Sequence, residues 1–170
     1  MKTQASTLNN PKLLSMDEAL KLRQALRALG KKVVITNGCF DLMHVGHLTY
    51  LAEAAALGDV FWVLLNGDQS VRALKGDSRP ILSEAERAYA LAALSAVDGV
   101  IVFNTKRLDN EIKLLEPDVY VKAGDYTIET LDAAERTALE SVGSKVCFMP
   151  FVPGYSTTNL IKKIAALEKM

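Results

Sequence analysis

Five short apolar runs punctuate the chain, at residues 33–36, 60–65, 100–103, 119–121 and 145–149. They are rich in Val, Ile, Leu and Phe and largely lack polar alternation, the pattern of strands buried on both faces. Between them the apolar spacing changes to that of helices. Ser15-Met16-Asp17-Glu18 is a capping box. It opens a helix whose apolar positions Ala19, Leu22, Ala25, Leu26 and Leu29 share one face, and Gly30 ends it. A second helix, 48–57, stops at Gly58-Asp59, and a short one, 70–74, follows Asn66-Gly67-Asp68. Ser83-Glu84-Ala85-Glu86 is another capping box, predicting a helix to about Ala96. Helices are also expected at 108–115, ended before Pro117, at 131–142, and at 159–167 with Leu160, Ile161, Ile164 and Leu167 apolar.

Strands alternating with helices predict an α/β fold, a parallel sheet of about five strands covered on both faces. The length of 170 residues suits one domain, expected over 13–170, with 1–12 as a flexible tail. Ligands of such sheets bind beyond the carboxyl ends of the strands. That directs attention to the loops after Thr36, Leu65, Val121 and Met149.

Twenty basic and twenty acidic residues balance, which argues against a nucleic-acid partner held by a broad basic surface. No apolar run approaches the ~20 residues of a membrane span, so no membrane partner is expected. The polar start, without an apolar signal core, and two cysteines without a disulfide framework predict a cytoplasmic protein.

Both histidines, His44 and His47, stand three positions apart at the junction of a strand and a helix, with Gly46 between them. A helix start offers unpaired N–H groups and the positive end of the helix dipole, so two imidazoles there make an anion site suited to phosphate. Gly46 permits close approach of a ligand or another backbone. Donors fixed on the oxygens of an attacked phosphate lower its barrier without any covalent nucleophile. The rival is a zinc site from Cys39, Asp41, His44 and His47, although Cys-x4-His-x2-His is an unusual ligand spacing. Near the other end, Tyr155, Ser156, Thr157 and Thr158 precede the last helix. They cap it and can form a second phosphate cradle. Lys75 and Arg79 lie in a polar loop, and Arg87 sits in the next helix, where it meets acceptor phosphate or pairs with Glu84. Asp68 meets ribose or caps a helix; Asp125 is a ligand or a turn residue; Asp98 is structural.

The stretch Thr36-Asn37-Gly38-Cys39-Phe40-Asp41, continued by His44, Gly46 and His47, resembles the signature of the cytidylyltransferase-like nucleotidyltransferases. The resemblance implies a Rossmann-like, doubly wound sheet. It also implies transfer of a nucleoside monophosphate from an NTP to a phosphate-bearing acceptor, with Mg²⁺ held mainly by the triphosphate. His44, His47 and Lys75 become the expected catalytic groups. Asn37, Gly38, Cys39, Phe40, Gly46, His47, Asn66, Asp68, Gly124, Asp125, Tyr155, Ser156, Thr157 and Thr158 become expected nucleotide contacts, and Arg79, Arg87 and Lys122 acceptor contacts. The arginine that often follows the second motif is absent, and Lys162 and Lys163 are the nearest cations.

Further segments narrow the likeness: Leu74-Lys75-Gly76 with Arg79-Pro80, Ala96-Val97-Asp98, residues 121–126 and residues 150–159. These resemble the adenylyltransferases that make ADP-heptose from a heptose 1-phosphate. The resemblance runs over residues 15–165, weakens at 105–110 and 127–146, and implies ATP and a sugar phosphate as partners and a homodimer. In many bacteria that activity is half of a protein that also carries a sugar kinase, so a stand-alone form is expected here. The alternatives are a CTP-dependent cytidylyltransferase acting on an alcohol phosphate such as glycerol 3-phosphate, and a nucleotide-binding module without catalysis.

Overall fold

The computed structural model describes residues 8–150 and 152–167. Its elements, in chain order, are β1 (Leu13–Leu14), α1 (Met16–Ala28), β2 (Val33–Gly38), α2 (Val45–Ala55), β3 (Val60–Asn66), α3 (Asp68–Lys75), α4 (Glu84–Ala92), β4 (Gly99–Phe103), α5 (Asp109–Leu115), β5 (Val119–Ala123), α6 (Ala133–Ser141), β6 (Lys145–Met149) and α7 (Thr157–Leu167). All five expected strands are present. A sixth, β1, is too short for a periodic signal and exists because Leu13 and Leu14 pair with Val100 and Ile101. Of the expected tail, residues 1–7 lie outside the described residues. Lys12 is held at the sheet edge: its carbonyl accepts from Val100 N–H at 2.8 Å and its Nζ donates to Leu94 O at 3.0 Å.

The six strands form one sheet in the order β1-β4-β3-β2-β5-β6, with every pairing parallel. It is the expected doubly wound, Rossmann-like α/β fold, extended by one edge strand. Successive strand residues feed opposite layers. Val34, Phe61, Val63 and Leu65 pack with Leu51 of α2 and Leu91 of α4. Val33, Ile35, Trp62 and Leu64 pack with Ala19 of α1, Ile112 of α5 and Leu139 of α6. Burial of each such large side chain contributes roughly 1.5–3 kcal/mol.

Both capping boxes form. Ser15 accepts from Glu18 N–H and Ser83 from Glu86 N–H, each glutamate reaching back to the serine N–H. Several helix boundaries differ from expectation. α2 begins at Val45 and α7 at Thr157, earlier than the apolar spacing indicates, because the preceding polar residues are themselves helical or capping. α4 stops at Ala92, earlier than expected, and Val97 N–H bonds Leu94 O in the turn that follows. Asp98 is structural, its carboxylate accepting from Phe61 N–H at 2.8 Å.

Sheet growth reverses direction between β2 and β5. Strands β2, β3 and β4 run one way from this point, and β5 and β6 the other. The carboxyl ends of neighbouring strands part there, leaving the crevice in which ligands of such folds bind.

Candidate active site

The turn after β2 is the site's keystone. Phe40 (φ 43°) and Leu42 (φ 50°) both lie in the left-handed region, unusual for bulky side chains. Such residues cost about 1–3 kcal/mol each and persist only where surroundings over-determine them. Asp41, between them, supplies that determination. Its carboxylate accepts from Arg79 Nε at 2.7 Å, Ile81 N–H at 2.8 Å and Leu82 N–H at 3.1 Å. Its carbonyl accepts from Thr157 Oγ1 at 3.1 Å. Burial alone would raise the Asp41 pKa, but these N–H donors and the Arg79 charge together hold it below the usual carboxylate range. Asp41 therefore joins the first motif, the Lys75–Arg79 loop and the start of α7.

Arg87 completes the scaffold. Its side chain has no exposure. Its Nε donates to Leu82 O, its Nη1 to Cys39 O and Asn66 O, and its Nη2 to the Asp68 carboxylate, at 2.7–3.0 Å. The expectation that Arg87 meets acceptor phosphate, or pairs with Glu84, is corrected: the guanidinium is sealed inside and ties the ends of β2 and β3 to α4. Asp68 is likewise committed to that ion pair at the start of α3.

His44 is the N-cap residue of α2 and His47 lies in its first turn. The rings stack with centroids 4.0 Å apart, and Phe40 meets His47 edge-on at 5.6 Å. His47 Nδ1 accepts the backbone N–H of His44 at 3.4 Å. A neutral imidazole that accepts on Nδ1 carries its proton on Nε2, so His47 presents an N–H donor. Burial, then the neighbouring His44 and Lys75, lower the His47 pKa to about 4, so the ring is neutral at pH 7. Burial also lowers that of His44, whose Nδ1 is buried without a hydrogen-bond partner among the described residues. A Cβ on Gly46 would stand 3.1 Å from the His44 ring and 3.3 Å from Tyr155 Cβ. A side chain at 46 would therefore crowd the point where the first motif closes against the last.

Two adjoining cavities open at this point. One, of about 370 Å³, is lined by His44, Gly46, His47, Lys75 and Arg79 on one side and Tyr155, Ser156, Thr157 and Thr158 on the other. The second, of about 310 Å³, shares His47, Lys75, Arg79 and Thr157 and adds Asn37, Gly38, Cys39, Phe40, Asn66 and Lys122. The structure thereby brings together residues expected from four separate loops. Gly124 and Asp125 do not line either cavity. Gly124, at φ 120°, bonds Met149 O through its N–H, and Asp125 is exposed in the bend that follows. Lys163, not Lys162, lines a smaller neighbouring cavity with His44 and Tyr155. Phe151, part of the last motif, lies outside the described residues.

Of two further cleft tyrosines, Tyr50 was not singled out in the sequence and Tyr126 only as part of the segment 121–126. Tyr50 lines both cavities, its hydroxyl bonded to Thr36 Oγ1 and to Val121 O. Its position three residues after His47 on α2 was the available signal. Tyr126 lines the second cavity. On the cleft floor, Asn37 Oδ1 accepts from Tyr120 Oη at 2.7 Å and Lys122 Nζ at 3.0 Å. Cys39 and Cys147 are free thiols, and burial raises the Cys39 pKa against the nearby cations. For the zinc reading, the Asp41 carboxylate and His47 Nδ1 are already engaged. Among the described residues, no three His, Cys, Asp or Glu side chains gather as a metal site.

A Rossmann-like sheet whose switch point presents a stacked histidine pair opposite a hydroxyl-rich helix start places the chain in a recognisable class of α/β domain. The chain belongs to the cytidylyltransferase-like family, which it matches over residues 35–163. Among curated proteins it is similar to the bifunctional protein HldE of Syntrophotalea carbinolica, 48% identical over 89% of this chain and 32% of that protein. The protein of the same name from Geobacter metallireducens is 47% identical over 92% of this chain and 31% of that one. The chain thus spans about a third of the length of these relatives. Among solved structures, a lipopolysaccharide core biosynthesis protein from Thermoplasma volcanium superposes with a TM-score of 0.58 at 26% identity, over 72% of this chain and 98% of that one. Pantoate-beta-alanine ligase from Francisella tularensis shares the fold, with a TM-score of 0.55 at 12% identity, over 93% and 79% of the respective chains.

Proposed function

We propose that this domain transfers AMP from ATP to a sugar 1-phosphate, heptose 1-phosphate foremost, and releases pyrophosphate. The observation that carries this reading is the juxtaposition of the His44–His47 pair with Thr157 and Thr158 across one cleft, with Lys75 and Arg79 beside both. Two helix starts facing one space suit a chain of phosphates. The likeness of residues 121–126 and 150–159 to ADP-heptose-forming enzymes supports ATP and heptose 1-phosphate as the substrates. The likeness to a lipopolysaccharide core biosynthesis protein from Thermoplasma volcanium agrees with a product for cell-envelope glycans.

In the reaction, a phosphate oxygen of the acceptor attacks the α-phosphorus of ATP. The new P–O bond forms as the bond to the bridging oxygen of the β-phosphate breaks, and pyrophosphate leaves. No protein nucleophile takes part. His47 donates from Nε2 to the oxygens on which charge grows, and its neutrality at pH 7 keeps Nδ1 free to hold the His44 N–H. Lys75 and Arg79 neutralise the phosphates that separate, while Ser156, Thr157 and Thr158 cradle the departing end. Arg79 is held in place by Asp41 during these events.

The donor set fits Mg²⁺ carried by the triphosphate. The cleft offers cations and neutral donors, and Asp41 is already spent on Arg79, so ATP oxygens and water would hold the ion. When bound, the ion neutralises phosphate charge. A cytoplasmic homodimer is part of the same reading, in keeping with two free cysteines. Among the described residues no helix is long and apolar enough to cross a membrane. The test is a pyrophosphate-release screen of four NTPs against sugar 1-phosphates and alcohol phosphates. Release with ATP and heptose 1-phosphate is the expected result. Release only with CTP and glycerol 3-phosphate, or with no pair, refutes it.

A further inference from the structure

A further cavity of about 490 Å³ adjoins the cleft and shares Asn37, Lys122 and Tyr126 with the 310 Å³ cavity. Its other walls include Lys106 and Arg107, after β4, and Thr130, Asp132 and Glu135, at the start of α6. None of the phosphate steps above uses these groups. Three cations and two carboxylates face this one space, so its charge is nearly balanced, unlike the cation-rich histidine cleft.

Glu135 is the unusual member. It is only 7% exposed. Lys122 Nζ stands 3.8 Å from its Oε2, longer than a hydrogen bond. No hydrogen bond within the described residues engages its carboxylate, and its oxygens open to the basin, so they are free to accept from a ligand there. Lys122 itself is buried enough that desolvation lowers its pKa, with Glu135 opposing that shift. Beside them, Asn37 Oδ1 is already taken by two donors, so its Nδ2 is the group left to donate.

The start of α6 is not a phosphate seat. Asp132 Oδ1 already accepts from Ala134 and Glu135 N–H, and its Oδ2 faces Arg107 Nε at 3.3 Å. A carboxylate at the helix N-terminus repels a second anion. What remains is a half-buried floor that both accepts and donates hydrogen bonds and carries little net charge. A ring bearing several hydroxyls satisfies such a floor; a phosphate or an apolar group does not.

We infer that this basin holds the sugar ring of the acceptor, with Glu135 accepting from a ring hydroxyl and Lys122 and Asn37 donating to its neighbours. The 1-phosphate then reaches past Asn37 toward His47. The inference rests on the adenylyl-transfer reading and adds the residues that select the acceptor. Glu135 is a specificity determinant: a ring hydroxyl donates to this charged acceptor, whereas a short alcohol phosphate fills the phosphate end of the site and makes no such bond.

The experiment is steady-state kinetics of Glu135→Gln, which preserves shape and removes the charged acceptor. The acceptor KM should rise roughly 10-fold or more, the size of a lost hydrogen bond to a charged group. The ATP KM should move less than about 2-fold. In a series of mono-deoxy sugar 1-phosphates, one member should be handled equally well by wild type and variant, because it lacks the hydroxyl that Glu135 receives. A merely structural glutamate would penalise every member alike. Arg107→Ala, at the exposed mouth, should raise the acceptor KM in the same direction, and it carries the test if Glu135→Gln does not fold. An unchanged acceptor KM in a folded variant overturns the assignment, as does a rise confined to ATP, which would place the nucleotide's ribose here. If the wild type releases pyrophosphate with no sugar 1-phosphate, the functional reading fails first and this assignment falls with it.

Discussion

Replacement of His47 separates the roles of its two nitrogens. Nδ1 holds the His44 N–H, and the ring lines the cleft with Nε2–H as the donor left for a ligand. His47→Ala removes both, and loss of one donor to a developing oxyanion costs about 10²–10³ in kcat, or ~3–4 kcal/mol. Asparagine can replace Nδ1 but does not reach the Nε2 position, so His47→Asn should be nearly as slow as His47→Ala. Glutamine reaches the Nε2 position with an N–H, and His47→Gln should recover about 10-fold of the loss. The substitution also has a thermodynamic signature. The folded-state pKa of about 4 lies below the ordinary value of 6.5. The unfolded chain therefore binds the proton first, and stability is lost as pH falls from about 6.5 to 4, present in full above that window. Complete burial would make this shift worth ~3 kcal/mol; water reaching part of the ring reduces it to about 1–2 kcal/mol. His47→Ala should lose that part of the acid slope. Pyrophosphate release measured by single turnover, with urea melts at pH 7 and pH 5, tests both halves. A His47→Asn variant faster than His47→Gln, or an alanine variant with near-normal turnover, refutes the donor assignment.

Arg87→Met should destabilise the fold by roughly 3–5 kcal/mol, because Asp68 and three carbonyls lose a buried partner. A denaturant melt measures it, and an intact fold with only a raised acceptor KM would restore the substrate-contact role. Lys75→Ala should lower kcat more than it weakens ATP binding, since a cation meeting migrating charge acts in the transition state. Calorimetry beside steady-state rates checks this, and unchanged rates remove Lys75 from the mechanism. Thr157→Ala frees the Asp41 carbonyl from α7 and should weaken ATP binding about 5–10-fold, a lost hydrogen bond of ~1 kcal/mol. Unchanged affinity and rate would leave Thr157 as helix boundary alone. Chelation should abolish activity and Mg²⁺ alone restore it; stoichiometric zinc in the purified protein would instead support the rival ligand set at Cys39, His44 and His47.

Much of the site was legible because its two halves are local. His44, Gly46 and His47 sit within four residues, and Ser156, Thr157 and Thr158 are contiguous, so short motifs carry their geometry. The capping boxes at Ser15 and Ser83 were legible for the same reason, since the bonds that define them span three residues. Lys122, expected only as an acceptor contact, meets Asn37 through a hydrogen bond across 85 positions that no spacing announces.

Arg87 marks the limit of such reading. From its neighbours it is one more cation near a polar loop. Its burial follows from acceptors at Cys39, Asn66, Asp68 and Leu82, which only packing of α4 against the ends of β2 and β3 brings together. The left-handed turn around Asp41 was equally silent, because the N–H groups that stabilise it come from Ile81 and Leu82.

By itself the sequence determined the alternation of strands and helices, the helix starts that carry capping boxes, and the motifs at two strand ends. These depend on periodicity and on bonds a few residues long. The tertiary structure alone decided the strand order, the edge strand β1, the sealing of Arg87 and the basin beside Glu135. Each of those rests on which distant side chains share a buried space. That is settled by closing the sheet and its helices over one another, where a charge finds a partner or is left waiting for a ligand.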